Sequence, residues 1–468
     1  MMTKKVLAGL LTVGLLVGLV TAAYAAVGTT STSIIVQNLS TSEAAVQVDF
    51  YNTGGTKTAS KSETLAAETS MTFDQRQSSG DPGEDPFQGA AIVSADQPVG
   101  AVVQAVRTGG SAGVNSYESY NGIVEAADLV KAPLILRGIQ SAGKTWNTTM
   151  AIQNTSTSSS ADVTVTFTPM GLGNSDTEDF TIPAGGSHYL MQSDQGDLGS
   201  QFFGSAEVDA NQDVAVVVTS GADDGSALIA YPTYSEGSLE VNLPGAMKNI
   251  LSLGDNYFTS MTIVNLGEAG DPAPVVTVDY QEQAGTVGAP YDVTVNTATS
   301  IDLRYDTNIT SDTFVGAVKL TNDENSTPFA AMLNMRGDDV GTGDAVFATT
   351  YGGTGGVTTA YTPYLLKSIQ SAGYSWSTSI LLQNLSPSQD LDVSITYNDG
   401  TNTYTSAQTG IAESDYVDLR YDTNLTPATF YGGAKIESTN GAPFAAVVLV
   451  RGSEGSGDAL SSYLGMSK

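Results

Sequence analysis

The chain has 468 residues, no cysteine and one histidine, His188. Those two scarcities exclude disulfide staples, thiol chemistry and Cys- or His-based zinc sites, and leave only His188 for a His-paired nucleophile. Positive charge is scarce as well, with 18 Lys and Arg against 49 Asp and Glu. Nucleic acid, whose phosphates call for Lys and Arg, is excluded as a partner, and so is an anionic membrane surface. Charged residues make up only 14% of the chain, so the acidity is spread thinly over a surface of Thr, Ser, Gly and Asn. No segment keeps an i, i+3, i+4, i+7 apolar stripe over three turns, which removes the amphipathic helix. No long apolar run follows residue 20.

The N-terminus is the exception. Lys4 and Lys5 precede the apolar residues 6–20, and Ala23-Tyr24-Ala25 offers the small residues of a leader cleavage site. That stretch is short of the roughly 20 residues a spanning helix needs. Residues 1–25 are therefore expected to be a signal peptide, and the mature chain to be extracellular or at the cell surface, without membrane insertion. Losing the two lysines moves the formal charge from −31 to −33.

What is present is repetition. An apolar run ending in asparagine recurs at Asn38, Asn154, Asn265 and Asn384, with spacings of 116, 111 and 119 residues. A second anchor, Phe-x-Gly, keeps step at Phe87, Phe202, Phe314 and Phe430. Between them runs a strand of period two: Val46, Val48 and Phe50, then Val163, Val165 and Phe167, then Val276, Val278 and Tyr280, and last Leu391, Val393, Ile395 and Tyr397. One buried and one wet face is the mark of an antiparallel sandwich. Pro98, Pro328 and Pro443 open a further buried run, where proline costs no ladder bond. The expected fold is all-β: four tandem immunoglobulin-like antiparallel β-sandwich domains in a row, at 26–120, 121–234, 235–352 and 353–468.

Segments beginning at Pro133, Pro244 and Pro363 precede the second, third and fourth units, each with an aromatic eight residues before the asparagine: Trp146, Tyr257 and Trp376. The first unit has Thr30 there and no such segment. Two readings stand. Either four bodies need only three connectors, or the segment is a strand of the unit that follows, leaving the first unit with an open edge where subunits join.

Several motifs imitate chemistry. Residues 138–145, Gly-Ile-Gln-Ser-Ala-Gly-Lys-Thr, match a phosphate-binding loop, yet the equivalent 368–375 lacks the lysine and a strand follows instead of a helix. Arg336-Gly337-Asp338 spells an adhesion tripeptide, but Arg451-Gly452-Ser453 at the same place reads as a strand end before a turn. His188 is expected on a solvent-facing strand. Trp146 and Trp376 are read as packing residues, with sugar stacking as the alternative. Asn-x-Ser/Thr triplets at Asn38, Asn147, Asn308 and Asn424 read as turns or as glycan sites. No catalytic, metal or cofactor-binding residue is singled out. No cofactor is expected beyond weakly held calcium in acidic loops, at Asp81, Glu84 and Asp85, Asp194 and Asp197, Asp223 and Asp224, or Asp338 and Asp339.

Taken together, the segment from Pro133 through Trp146, Asn154 and Phe167 to Phe202-Phe203-Gly204-Ser205-Ala206 resembles a class of exported tandem-repeat proteins on bacterial surfaces, notably of filamentous, mat-forming bacteria. The resemblance implies repeated sandwich modules in an envelope structure and no enzymatic activity. The expectation is a structural subunit of a surface filament, sheath or matrix that self-associates and contacts surface polysaccharide. The alternative is an adhesin or carbohydrate-binding protein using loops at the sandwich ends; a hydrolase ranks third.

Overall fold

The computed structural model describes residues 15–18 and 29–467, apart from 76–86, 111–113, 253–254, 344 and 454–456. Apart from residues 15–18, the segment 1–25, expected to be a signal peptide, falls outside the described residues. The chain is all-β, built of antiparallel sheets stacked as sandwiches. No helix among the described residues is long and apolar enough to cross a membrane.

One strand order recurs in the second, third and fourth quarters, and in the first without the short strand ahead of the anchor strand among the described residues. In the third quarter, one sheet runs Glu240–Lys248, Phe314–Thr321, Val275–Ala284, Tyr291–Thr294. The other runs Ile250–Ser252, Asp255–Asn265, Phe329–Asp339, Ala345–Gly352. The alternating strands bury the side chains their period predicts, so Leu391, Val393, Ile395 and Tyr397 are all in the core. Proline also acts as expected. After Pro328 and Pro443 a new strand begins at Phe329 and Phe444. The second quarter has no proline there, and Phe202–Ala222 continues through both sheets as one strand.

Both anchors have a physical cause. The glycine of Phe-x-Gly meets the backbone of the alternating strand, where a Cβ at Gly204 would stand 2.3 Å from Thr168 O and one at Gly316 2.0 Å from Gln281 O. No side chain fits. The asparagine brackets the two sheets. Asn154 Nδ2 donates to Ser159 O at 2.7 Å and to Ile182 O and Pro183 O at 3.2 Å, while Oδ1 accepts Ser156 N at 3.0 Å. Asn384 and Asn38 repeat the bracket.

The segments expected to begin at Pro133, Pro244 and Pro363 are strands of the quarter that follows, Ala127–Arg137, Glu240–Lys248 and Thr359–Lys367. Each starts before its proline, which lies inside the strand, and each pairs with the Phe-x-Gly strand. Thr148, Thr259 and Thr378 each accept the backbone N–H of the residue 12 positions earlier, Leu136, Met247 and Leu366. Tyr231 and Tyr463 on the last strands donate to Leu134 O and Tyr364 O at 2.5 Å, and Tyr351 holds Pro244 O in the same way.

The quarters do not stand in a row. Their last strands, Asn115–Asn121, Leu228–Pro232, Ala345–Gly352 and Leu460–Leu464, pack each against the next around a common centre, and the fourth returns to the first. Cores are shared in the same cyclic order. Val217 and Ala230 of the second quarter enter the first quarter's core, and Met332, Ala345 and Ala348 of the third enter the second's. Leu381, Val447, Leu449 and Leu460 of the fourth enter the third's. Ile35, Val102, Val106 and Tyr117 of the first close the ring against the fourth. At the centre Glu118 accepts Ser119 N at 2.7 Å, Thr349 Oγ1 at 2.9 Å and Ser462 N at 3.3 Å, tying three quarters together. Asp458 ties in the second by accepting Leu228 N at 3.0 Å.

Candidate functional site

Ring closure creates interfaces, and four clefts lie there. Each has the leading strand and aromatic of one quarter on one side and the anchor strand of the next on the other. Trp146 lines a cavity of about 390 Å³ between the second and third quarters, Tyr257 one of about 360 Å³ between the third and fourth, and Trp376 one of about 200 Å³ between the fourth and first. Between the first and second, where Thr30 replaces the aromatic, only about 10 Å³ is left.

The clefts differ in their mouths. In the 390 Å³ cleft the guanidinium of Arg304 lies 3.6 Å from the Phe258 ring centre and that of Arg336 4.6 Å. Arg336 Nη1 also reaches across to Ser141 Oγ at 2.8 Å. The 200 Å³ cleft is bridged by Thr72 and Tyr431 hydroxyls at 2.6 Å and by Gln104 donating to Tyr364 at 3.0 Å.

The cleft between the third and fourth quarters suits a ligand best. Its floor is apolar, from Met247, Met335, Leu381 and Leu449, with the buried Tyr257 ring under the Arg451 guanidinium at 4.9 Å. Burial pushes the Tyr257 hydroxyl well above its ordinary pKa, so it stays protonated and polar but uncharged. Serines 375, 377, 379 and 414 line one wall, and Ser414 Oγ is buried without a hydrogen-bond partner. The rim carries Asp415, which accepts Gln283 Nε2 of the neighbouring quarter at 3.0 Å, and the Asp418–Arg420 pair, closed at 2.6 Å. The hydrogen bonds that the Arg420 guanidinium donates to Asp418 hold its pKa above the usual value, against burial, which acts to lower it. Tyr416 and Tyr421 are exposed at the mouth, at 54% and 76%. Planar aromatics beside paired carboxylate, guanidinium and hydroxyl groups can grip a polyhydroxylated ring through its faces and edges together.

The motifs singled out in the sequence are placed as follows. Residues 139–146 form a hairpin, Ser141 opposite Lys144, with Ala142 and Gly143 at φ 48° and 69°. Lys144 is paired to Asp224 at 2.6 Å, and strand continues from Lys144 to Asn154. Arg336 and Asp338 bind each other, Nε to Oδ1 at 2.7 Å. His188 is half-buried, stacked on Phe180 at 4.0 Å, and burial lowers its pKa; the expected solvent-facing position is half right. Trp146 and Trp376 are 5% exposed and donate to Ser141 O and Ser371 O. Asp81, Glu84 and Asp85 fall outside the described residues. Asp194 accepts Ser193 Oγ, and Asp339 caps its own turn by accepting Gly341 N and Thr342 N. Among the described residues no group of three or more His, Cys, Asp or Glu is placed to hold a metal. Sequence reasoning missed Tyr416, Tyr421 and Arg420, because their value comes from the neighbouring quarter. The duplicated Asp-Leu-Arg-Tyr of 302–305 and 418–421 was the available signal.

No family model matches the chain, and no curated protein matches it. Solved structures that it matches include Thermotoga maritima 1070, at 16% identity over 24% of this chain and 97% of that one, with a TM-score of 0.20. Serine-rich repeat protein Srr2 from Streptococcus agalactiae matches at 13% identity over 55% and 85%, TM-score 0.10. A glycoside hydrolase family 32 structure from Bifidobacterium adolescentis matches at 8% over 98% and 96%, TM-score 0.14. Scores this low bear on neither fold nor function.

Proposed function

We propose that this is a non-enzymatic, exported surface protein that binds a saccharide in the cleft between its third and fourth quarters. The observation that carries the reading is the cleft itself: about 360 Å³, within the range of small-molecule sites, with an apolar floor and a rim of Tyr416, Tyr421, Asp415 and the Asp418–Arg420 pair. Export is supported by residues 1–25, and a surface setting by the resemblance to tandem-repeat envelope proteins. A non-enzymatic role is supported by the commitment of Asp418 to Arg420, which takes one of the two rim carboxylates out of a glycosidase pair. Screening the protein against surface polysaccharide fragments tests the reading. Tyr421→Ala and Tyr416→Ala should each weaken the best ligand roughly two- to tenfold, the worth of one aromatic contact. Binding by both variants as tight as by the unsubstituted protein, or turnover of the ligand, would overturn it.

A second reading has its own support. Tyr305 and Tyr421 occupy equivalent places in successive quarters, are 75% and 76% exposed, and sit beside Arg304 and Arg420. Such a repeated aromatic surface would serve a self-associating subunit of a filament, sheath or matrix. Regular assemblies in negative-stain microscopy that vanish in the double Tyr305→Ser, Tyr421→Ser variant would favour it.

A further inference from the structure

Three quarters carry a leading strand of their own, antiparallel to the Phe-x-Gly strand. Ala132 lies opposite Ala206, Leu243 opposite Val318, and Thr362 opposite Ala434. Each partner stands two residues beyond the glycine of Phe-x-Gly. In the first quarter that position is Ala91, and the residue opposite it is Val17. Leu15–Gly18 therefore fills the missing slot in the same register, with four residues paired to Ala90–Val93. It also lies against the anchor strand and the long strand of the second quarter, as the other leading strands lie against the quarter that follows them.

The occupant differs in one respect. It belongs to the apolar stretch 6–20 ahead of Ala23-Tyr24-Ala25, so leader removal after Ala25 would take it away. Removal leaves the backbone edge of Ala90–Val93 without its ladder partner. The groove behind it is apolar: Ala91, Val93, Val217 and Ala230 belong to one buried cluster. A bare edge over an apolar floor is costly to leave in water and selective for one kind of guest.

We infer that the groove along Gly89–Ala95, between the first and second quarters, is an acceptor for an extended apolar segment of another polypeptide. The three built-in strands state the guest's chemistry. Val130, Ala132, Leu134, Ile135 and Leu136 are buried in one, and Leu365 and Leu366 in another, so the guest turns an apolar face to the groove and donates ladder N–H groups. Among the described strands each is already seated in a sheet, so a second copy has none to spare. The donor is a separate chain with a free strand. This proposal rests on the export reading of residues 1–25 and is independent of the saccharide cleft.

The test begins with the full chain, folded, carrying a protease site between residues 25 and 29. After cutting, a labelled peptide with the sequence of residues 128–137 should displace the leader fragment at one peptide per protein. The uncut chain should bind it at least about tenfold more weakly. The same peptide with Ala132→Pro and Ile135→Pro, which lacks two ladder donors, should fail. In the uncut chain, Val17→Cys with Ala91→Cys should form a disulfide, cleanly because no other cysteine exists. Peptide uptake equal before and after cutting, or indifferent to the prolines, would overturn the proposal. A secreted chain that retains residues 15–18 would overturn it through the export reading, with the disulfide still forming.

Discussion

Replacing the bracket asparagines one at a time should produce a graded loss that the hydrogen bonds dictate. In Asn154→Ala, three carbonyls lose the amide they share and Ser156 N loses its acceptor, with the asparagine itself fully buried. Leaving a buried polar group unsatisfied costs about 1–3 kcal/mol, and part of the Ser159 and Pro183 edge reaches water. A total of about 3–5 kcal/mol is expected. Asn384→Ala should match it, since the bonds to Gln389 O, Ile411 O and Ala412 O are 2.9–3.0 Å long. Asn265 is the internal control: half-buried, it donates only to Asn296 O at 2.9 Å and accepts Gly267 N at 2.8 Å. Asn265→Ala should cost about 1 kcal/mol. Urea titration of each variant, followed by tyrosine fluorescence and circular dichroism, gives the values from the midpoints. Equal losses at Asn154 and Asn265 would refute the reasoning, because then the asparagine would matter for something other than the bonds it makes.

Other perturbations follow from the same geometry. Burial first, and then the charge of Asp458, raises the pKa of Glu118 well above the usual carboxylate range. A raised folded value means that its contribution to stability is complete below about pH 4 and is lost as pH climbs through that value. Thermal melts should fall with rising pH, and Glu118→Gln should flatten that slope; an unchanged slope would contradict the assignment. Trp376→Ala should cost about 3–5 kcal/mol, because the ring packs 4.7 Å from Tyr117 across the closing interface. In a glycosylating host, Asn424 should accept sugar and Asn38 should not, since Asn38 is buried with its amide donated to Ser42 O, Leu65 O and Ala66 O. Peptide mapping by mass spectrometry reads this directly.

Much of each quarter was legible from residues. Period-two alternation located the strands Ala161–Leu172 and Leu391–Asn398, and Pro98, Pro328 and Pro443 marked where strands begin, whereas Pro133, Pro244 and Pro363 lie inside theirs. The strands Ala298–Asp302 and Ser414–Asp418 end at an aspartate, because each carboxylate accepts the N–H of the arginine two residues on and starts the turn. Ring closure was hidden for a physical reason. The central surfaces are made by Ser119, Thr349, Ser462 and Glu118, which a sequence pattern assigns to solvent, and only mutual hydrogen bonding makes them interior. The cleft between the third and fourth quarters was invisible for a related reason: its walls come from two quarters, brought together only by ring closure. Phe-x-Gly and the asparagine were recognised as anchors by recurrence, while their causes, a backbone too close for a Cβ and a bracket between sheets, required coordinates.

Small-angle X-ray scattering of the chain from residue 26 onward tests most directly whether the four quarters close on one another. One compact body of this length has a radius of gyration of about 22 Å, whereas four quarters in a row would exceed about 40 Å. The ring predicts the smaller value, unchanged by dilution. A radius near the larger one, with a long tail in the distance distribution, would contradict it.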